Sequence, residues 1–86
     1  MDPLQIDPLV LSELITRLTP RQIQIVGLLA QGRSNRDIAT ILSISRETVK
    51  WHVRKMFQKV GAENRIQLIV IYVVWRTTEP VTFSQG

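Results

Sequence analysis

Three kinds of side chain in this sequence are equipped to act on something else: one histidine, two serines that precede amphipathic stretches, and a group of cations around a tryptophan. His52 has the chemistry of a general base or a metal ligand. No carboxylate or cysteine constellation accompanies it, the chain has no cysteine, and a single histidine cannot assemble a zinc cluster. A hydrogen bond to phosphate or a structural role is the expectation for it. Ser34 and Ser45 could suggest nucleophiles, but each stands where a helix should begin, no triad is visible, and capping accounts for both. No enzyme reading has titratable groups behind it, and no cofactor or metal is expected. What remains is Lys50, Trp51, Arg54 and Lys55. Lys50 and Arg54 lie one helical turn apart, and Lys or Arg to guanine O6/N7 is the commonest specific base contact, worth ~1–3 kcal/mol of discrimination when bidentate. A surface indole at position 51 has three readings: pressing on a thymine methyl, packing on a sugar-phosphate edge, or folding over its own domain. Groove contact is the favoured one.

The element that must carry these side chains is read from Ser45 to Val60. Ser45 is an N-cap. Val49, Val53, Met56, Phe57 and Val60 fall on one side of a helical wheel, and Lys50, Trp51, Arg54 and Lys55 on the other. One face buries, while the other offers cations and an indole of a reach that suits the major groove of DNA.

The totals agree. With 86 residues there is room for one small domain. A core this size without disulfides is marginal, so pairing is a natural source of extra stability. The net charge is +4, and its distribution is uneven. Between residues 33 and 65, Arg33, Arg36, Arg46, Lys50, Arg54, Lys55, Lys59 and Arg65 stand against Asp37, Glu47 and Glu63. A positive field on one segment implies a polyanionic partner, although a solvated basic face would look the same by charge alone. The N-terminus has Asp2 and no early Lys or Arg, so no signal peptide is read. The apolar run Ile66–Trp75 is half the roughly 20 residues a membrane span needs. No membrane association and a cytoplasmic location are expected.

Start and stop signals divide the chain into helices. Asp7-Pro8 opens a short one to about Arg17, with Leu11, Leu14, Ile15 and Leu18 as its buried face. Thr19-Pro20-Arg21-Gln22 is a capping box with Pro at the first helical position, and this helix should run to Ala30 or Gln31 and stop at Gly32. Ser34 caps a third helix, with Asp37 near the positive end of its dipole and Ile38, Ala39, Ile41 and Leu42 as apolar residues. Ser43-Ile44-Ser45 is a brief turn into the cationic helix, giving the plan of a helix-turn-helix. Gly61 ends that helix. Asn64 caps the last, from Arg65 to about Thr77.

In order, Leu18-Thr-Pro-Arg-Gln, Leu28-Leu-Ala-Gln-Gly32, Ser34-Asn-Arg-Asp-Ile-Ala39, Ser45-x-x-Thr-Val-Lys50-x-His52 and Lys59-Val-Gly61 resemble the LuxR-type helix-turn-helix, also called GerE- or NarL-type. The likeness covers residues 18 to about 72. It implies an all-α, four-helix DNA-binding domain, here with a short extra N-terminal helix. With the helix bounds read above, the chain divides into an extension over 1–17, the DNA-binding domain over 18–78 and a polar, loose tail over 79–86. The likeness implies that helix 46–60 enters the major groove. Carried over, Lys50, Trp51 and Arg54 occupy base-facing positions, and Thr48, His52 and Lys55 lie near the backbone. Ser34, Asn35 and Arg36 open the scaffold helix close to phosphate. Arg36 and Arg46 reach phosphate from helix starts, contacts that position without specifying. Gln22 stands where the family usually has Glu, so a neutral hydrogen bond is expected in place of an ion pair. Arg33 and the large Trp51 also depart from the usual pattern.

The family's last helix pairs two subunits. In this chain that helix is apolar on two sides: Ile66, Ile69, Val70 and Val73 on one, Leu68, Ile71, Tyr72 and Trp75 on the other. The second set is assigned to a twofold dimer interface, which makes an inverted-repeat operator on double-stranded DNA the expected partner. Most members carry an upstream receiver or ligand-sensing domain; 86 residues leave no room for one, so a free-standing regulator or an excised part is expected. A larger LuxR-type regulator and RNA polymerase are the candidate protein partners. The alternative function is a small dimerisation partner or antagonist of such a regulator, acting through the last helix.

Overall fold

The computed structural model describes residues 7–78, and the tail expected over 79–86 lies outside them. The described residues form five helices: α1 Pro8–Thr16, α2 Pro20–Ala30, α3 Asn35–Leu42, α4 Arg46–Val60 and α5 Arg65–Thr78. There is no strand among them. Each helix start is set by a side chain that satisfies an otherwise unpaired backbone N–H. Asp7 accepts from Leu9 N at 2.8 Å. Thr19 and Gln22 form a reciprocal capping box, as do Ser34 and Asp37. Ser45 accepts from Thr48 N at 3.0 Å, and Asn64 from Gln67 N at 2.8 Å. Each cap contributes on the order of 1 kcal/mol.

The helix ends are equally local. At the end of α2, Arg33 N donates to Leu28 O and Gly32 N to Leu29 O, a paired closure that requires the left-handed φ of +85° at Gly32. The end of α3 uses the same closure, Ile44 N to Ala39 O and Ser43 N to Thr40 O, but with a serine at the left-handed position, φ 58°. A side chain there costs about 1 kcal/mol that glycine would not. This left-handed residue sets the turn between α3 and α4.

The core is where these helices meet. Ile25 and Val26 of α2, Ile38 of α3, and Val49 and Met56 of α4 are wholly buried. α3 packs on α4, α2 lies across both α4 and α5, and α1 closes against α5 and α4. Leu11, Ile15 and Leu18 belong to the same core, so α1 is packed as part of the domain. Ile41 is exposed, unlike its neighbours Ile38 and Ala39. A Cβ at Gly27 would meet the Tyr72 hydroxyl at 3.1 Å. The missing side chain therefore gives α2 and α5 their close approach.

The arrangement of α5 corrects the interface assigned above. Leu68 and Ile71 are 1 % and 4 % exposed, inside the chain's own core, and Tyr72 and Trp75 pack half-buried against it. They face α2 and α1, whose apolar sides need a surface to cover them. The side left outward is Ile66, 73 % exposed, with Val70 half-buried and Val73 exposed, one stripe at helical spacing. Two apolar faces on one helix have the same periodicity, so the pattern could not say which was inward.

This orientation has a direct consequence in chemical denaturation. Leu68→Ala should destabilise the fold by about 2–5 kcal/mol, the usual range for a buried Leu truncated to Ala. Ile66→Ala, measured at the same low protein concentration, should change stability by no more than about 0.5 kcal/mol. Equal losses would place both faces of α5 in the core.

Candidate nucleic-acid interface

α4 presents its cations in a row. Arg46, Lys50 and Arg54 are spaced four residues apart, so they stand above one another on one helix face, and all three are exposed. The Nζ of Lys50 lies 3.8 Å from a Glu47 carboxylate oxygen, an exposed pair worth at most about 1 kcal/mol and readily displaced. Trp51 is 46 % exposed beside this row. The Nζ of Lys55 sits 5.6 Å from the centroid of the Trp51 ring, and the His52 ring meets the indole edge-to-face at 5.0 Å. The indole is therefore braced from two sides while much of it remains open.

The row continues into α3. Arg36 and Arg46 line one cleft of about 450 Å³ with Ala39, Thr40 and Ile44. Two arginines on one concavity, with no carboxylate in its lining, give it a positive character. Thr40, whose hydroxyl donates to Arg36 O, was not foreseen in this cleft. At the start of α3, the Ser34 hydroxyl is already the acceptor for Asp37 N at 3.1 Å, and Thr48 and Ser45 share a hydroxyl contact of 2.8 Å. The Ser34 hydroxyl, and whichever of the Ser45 and Thr48 hydroxyls accepts in their mutual contact, can still donate a proton outward. Asn35 is half-buried, and its Oδ1 has no partner among the described residues.

Behind α4, one polar cluster joins it to α2. Gln22 is 2 % exposed, the buried polar residue of the core. Its Oε1 accepts from Thr19 N at 3.1 Å and from Lys59 Nζ at 2.9 Å, the neutral counterpart of an ion pair that the sequence led us to expect. Its Nε2 lies 3.4 Å from His52 Nδ1. Arg17 Nη1 also reaches α4, donating to Lys59 O at 3.2 Å. Sequence reasoning found the capping role of Gln22 but neither its reach across to α4 nor the role of Arg17. Their partners lie 30 to 42 residues away, where periodicity and cap patterns carry no information. Burial holds the His52 pKa below its ordinary value of 6.5, and the positive charges of Arg21 and Lys59 push it the same way.

The base-facing expectations, Lys50, Trp51 and Arg54, thus fall on one open face. Arg36 and Arg46 share the adjoining cleft. His52 and Lys55 flank the indole, half-buried. Among the described residues no group of His, Cys, Asp and Glu is arranged to hold a metal ion, and no helix is long and apolar enough to cross a membrane.

Residues 16–72 match the family described as bacterial regulatory proteins, luxR family. Over 59 residues the chain is 37 % identical to the nitrate/nitrite response regulator protein NarP of Escherichia coli, covering 69 % of this chain and 27 % of NarP. It is 41 % identical over 56 residues to the nitrate/nitrite response regulator protein NarL of the same organism, covering 65 % of this chain and 26 % of NarL. The HTH-type transcriptional regulator MalT of Vibrio campbellii is 42 % identical over 53 residues, which is 62 % of this chain and 6 % of MalT. The chain therefore spans about a quarter of the two nitrate/nitrite regulators and a small part of MalT.

The lowered His52 pKa makes stability depend on pH in a defined direction. Below pH 6.5 the unfolded chain takes up a proton that the folded chain resists, so this contribution is present above pH 6.5 and is lost as pH falls through the folded pKa. Denaturant midpoints should fall between pH 7 and pH 5. In His52→Gln, the part of that fall due to the imidazole should vanish.

Proposed function

The chain belongs to the bacterial regulatory proteins of the luxR family, and from that premise we propose that this DNA-binding domain regulates transcription as a homodimer with α4 of each copy in the major groove. The observation that carries the reading is the run of exposed cations from the Arg36–Arg46 cleft along Lys50 to Arg54. Lys50 and Arg54 read base edges, and Trp51 presses into the groove between them and the backbone. Arg36, Arg46, Ser34, Asn35, Thr48, His52 and Lys55 bind phosphate. The cytoplasm is where such a regulator would work.

Pairing needs an apolar surface outside the core, and Ile66, Val70 and Val73 supply one on α5. Two copies joined there would set two α4 helices about one DNA turn apart on an inverted repeat. The high exposure of Ile66 also favours a second reading: the same stripe joins this chain to a larger luxR-family regulator as partner or antagonist. RNA polymerase is a further candidate partner of the DNA-bound form.

Affinity should fall steeply with salt, because each neutralised phosphate releases a counterion. Arg36→Ala should weaken binding to specific and random duplexes alike and reduce the salt slope by about one. Lys50→Ala and Arg54→Ala should each remove about 1–3 kcal/mol of discrimination between them. Identical losses on both duplexes for all three variants would mean that Lys50 and Arg54 read no bases. In sedimentation across a dilution series, the wild type should associate and Ile66→Asp should not. A wild type that stays strictly monomeric at high micromolar concentration removes the homodimer. Binding only in mixtures with a larger relative would favour the partner reading.

A further inference from the structure

The hydrogen-bond inventory around Gln22 fixes more than the packing of α2 on α4. Its two Oε1 partners, the backbone N–H of Thr19 and the ammonium of Lys59, are groups that only donate. The oxygen of the amide must therefore point toward them, and the amide cannot be turned round without setting an NH₂ group against two donors. This places the Gln22 NH₂ group against His52 Nδ1, 3.4 Å away. An NH₂ group also only donates, so Nδ1 must accept, and its proton must reside on the other ring nitrogen.

We propose that Gln22 is a positioning residue for DNA binding: it holds His52 as the neutral tautomer protonated on Nε2, so that the free edge of the ring presents an N–H donor to a backbone phosphate. The phosphate rests on the function proposed above; the tautomer does not. Among the described residues no hydrogen bond is made to His52 Nε2, and the residue is half-buried, with part of its surface open. The edge-to-face contact with Trp51 restrains the ring further. The charges bearing on the imidazole, Arg21 from α2 and Lys59 from α4, are both positive and disfavour a second proton. The donor is thus present without the ring being charged, and the contact does not need protonation to form.

A glutamate at position 22 would reverse this. Its carboxylate accepts from Thr19 and Lys59 with one oxygen and from His52 Nδ1–H with the other. The neutral ring would then turn a lone pair outward, toward phosphate, and could donate there only after taking up a proton. Glu is the residue the family usually carries at this place, so Gln22→Glu should fold.

His52 is the chain's one histidine, which makes a direct measurement possible. Long-range proton–nitrogen correlation on the ¹⁵N-labelled free protein near pH 7.5 should show Nε2 protonated and Nδ1 bare. A proton on Nδ1, or equal occupancy of the two nitrogens, overturns the proposal whatever the protein does with DNA. In Gln22→Glu the proton should move to Nδ1 and the imidazole pKa should rise; an unchanged tautomer in that variant also overturns it. On a random duplex, wild-type affinity should vary by no more than about twofold between pH 6 and 8. That of Gln22→Glu should increase as pH falls, on the order of tenfold, the effect of one unsatisfied polar group relieved at the interface. Parallel pH profiles for the two proteins overturn the link to phosphate. A wild type with the expected tautomer that binds no duplex removes the functional reading and leaves the tautomer assignment standing.

Discussion

Everything that α4 offers to the outside is held in place by its junction with α2. That junction combines two kinds of constraint. Ile25 and Val26 of α2 and Val49 and Met56 of α4 are wholly buried in one core where the two helices pack, which sets how closely they approach. Gln22 lies within the same contact and must satisfy its amide there, because a buried polar group without partners costs more than its hydrogen bonds gain. Its oxygen finds Thr19 and Lys59, and its nitrogen faces His52. Apolar packing alone tolerates small slides along and around a helix. A set of directed bonds between Gln22 and two points on α4, Lys59 and His52, does not, so the rotation of α4 about its own axis is specified along with its distance.

That specification explains how a single face can gather so many cations. Arg46, Lys50 and Arg54 repel one another weakly in water, and nothing in their own chemistry would line them up. Their four-residue spacing puts them on one strip of the helix, and that strip faces outward because Val49 and Met56 turn another side of α4 into the core. The Arg36–Arg46 cleft depends on the turn at Ser43 in the same way. A left-handed serine there sets the approach of α3 to α4 and so the distance between two guanidinium groups. The cationic surface is a product of the interior, transmitted through helix phase and the turn at Ser43.

Local features of this fold were legible in the sequence. The caps at Asp7, Thr19, Ser34, Ser45 and Asn64 each use a side chain within three residues of its partner, and the bounds of α4 were read as they stand. Gly32 announced its turn by residue type; Ser43 did not, because serine is not selected for a positive φ. The two faces of α5 were recognised, but Leu68 and Ile71, on the face assigned to pairing, lie in the core, since which face turns inward depends on α1 and α2. The Gln22–His52–Lys59 cluster was out of reach for a similar reason: it joins residues far apart in the chain, and a capping residue with a second, distant role looks like any other cap. On the outer face of α4 the residue types were informative and their company was not. Trp51 was recognised as an anomaly, but nothing in the sequence showed that His52 and Lys55 would hold its ring.

That bracing has a consequence for what the domain could accept. A free surface tryptophan samples several rotamers and can fold away from a partner that does not suit it. Here an imidazole ring and an ammonium lie against the indole, contacts it would give up in turning away. On the proposed reading, accommodation then falls to the duplex. Sequences whose groove opens or bends easily at that step would meet the ring at low cost, and stiff ones would not, with no hydrogen bond to any base involved. The indole would act as a gauge of DNA pliability set beside two cations that read its chemistry.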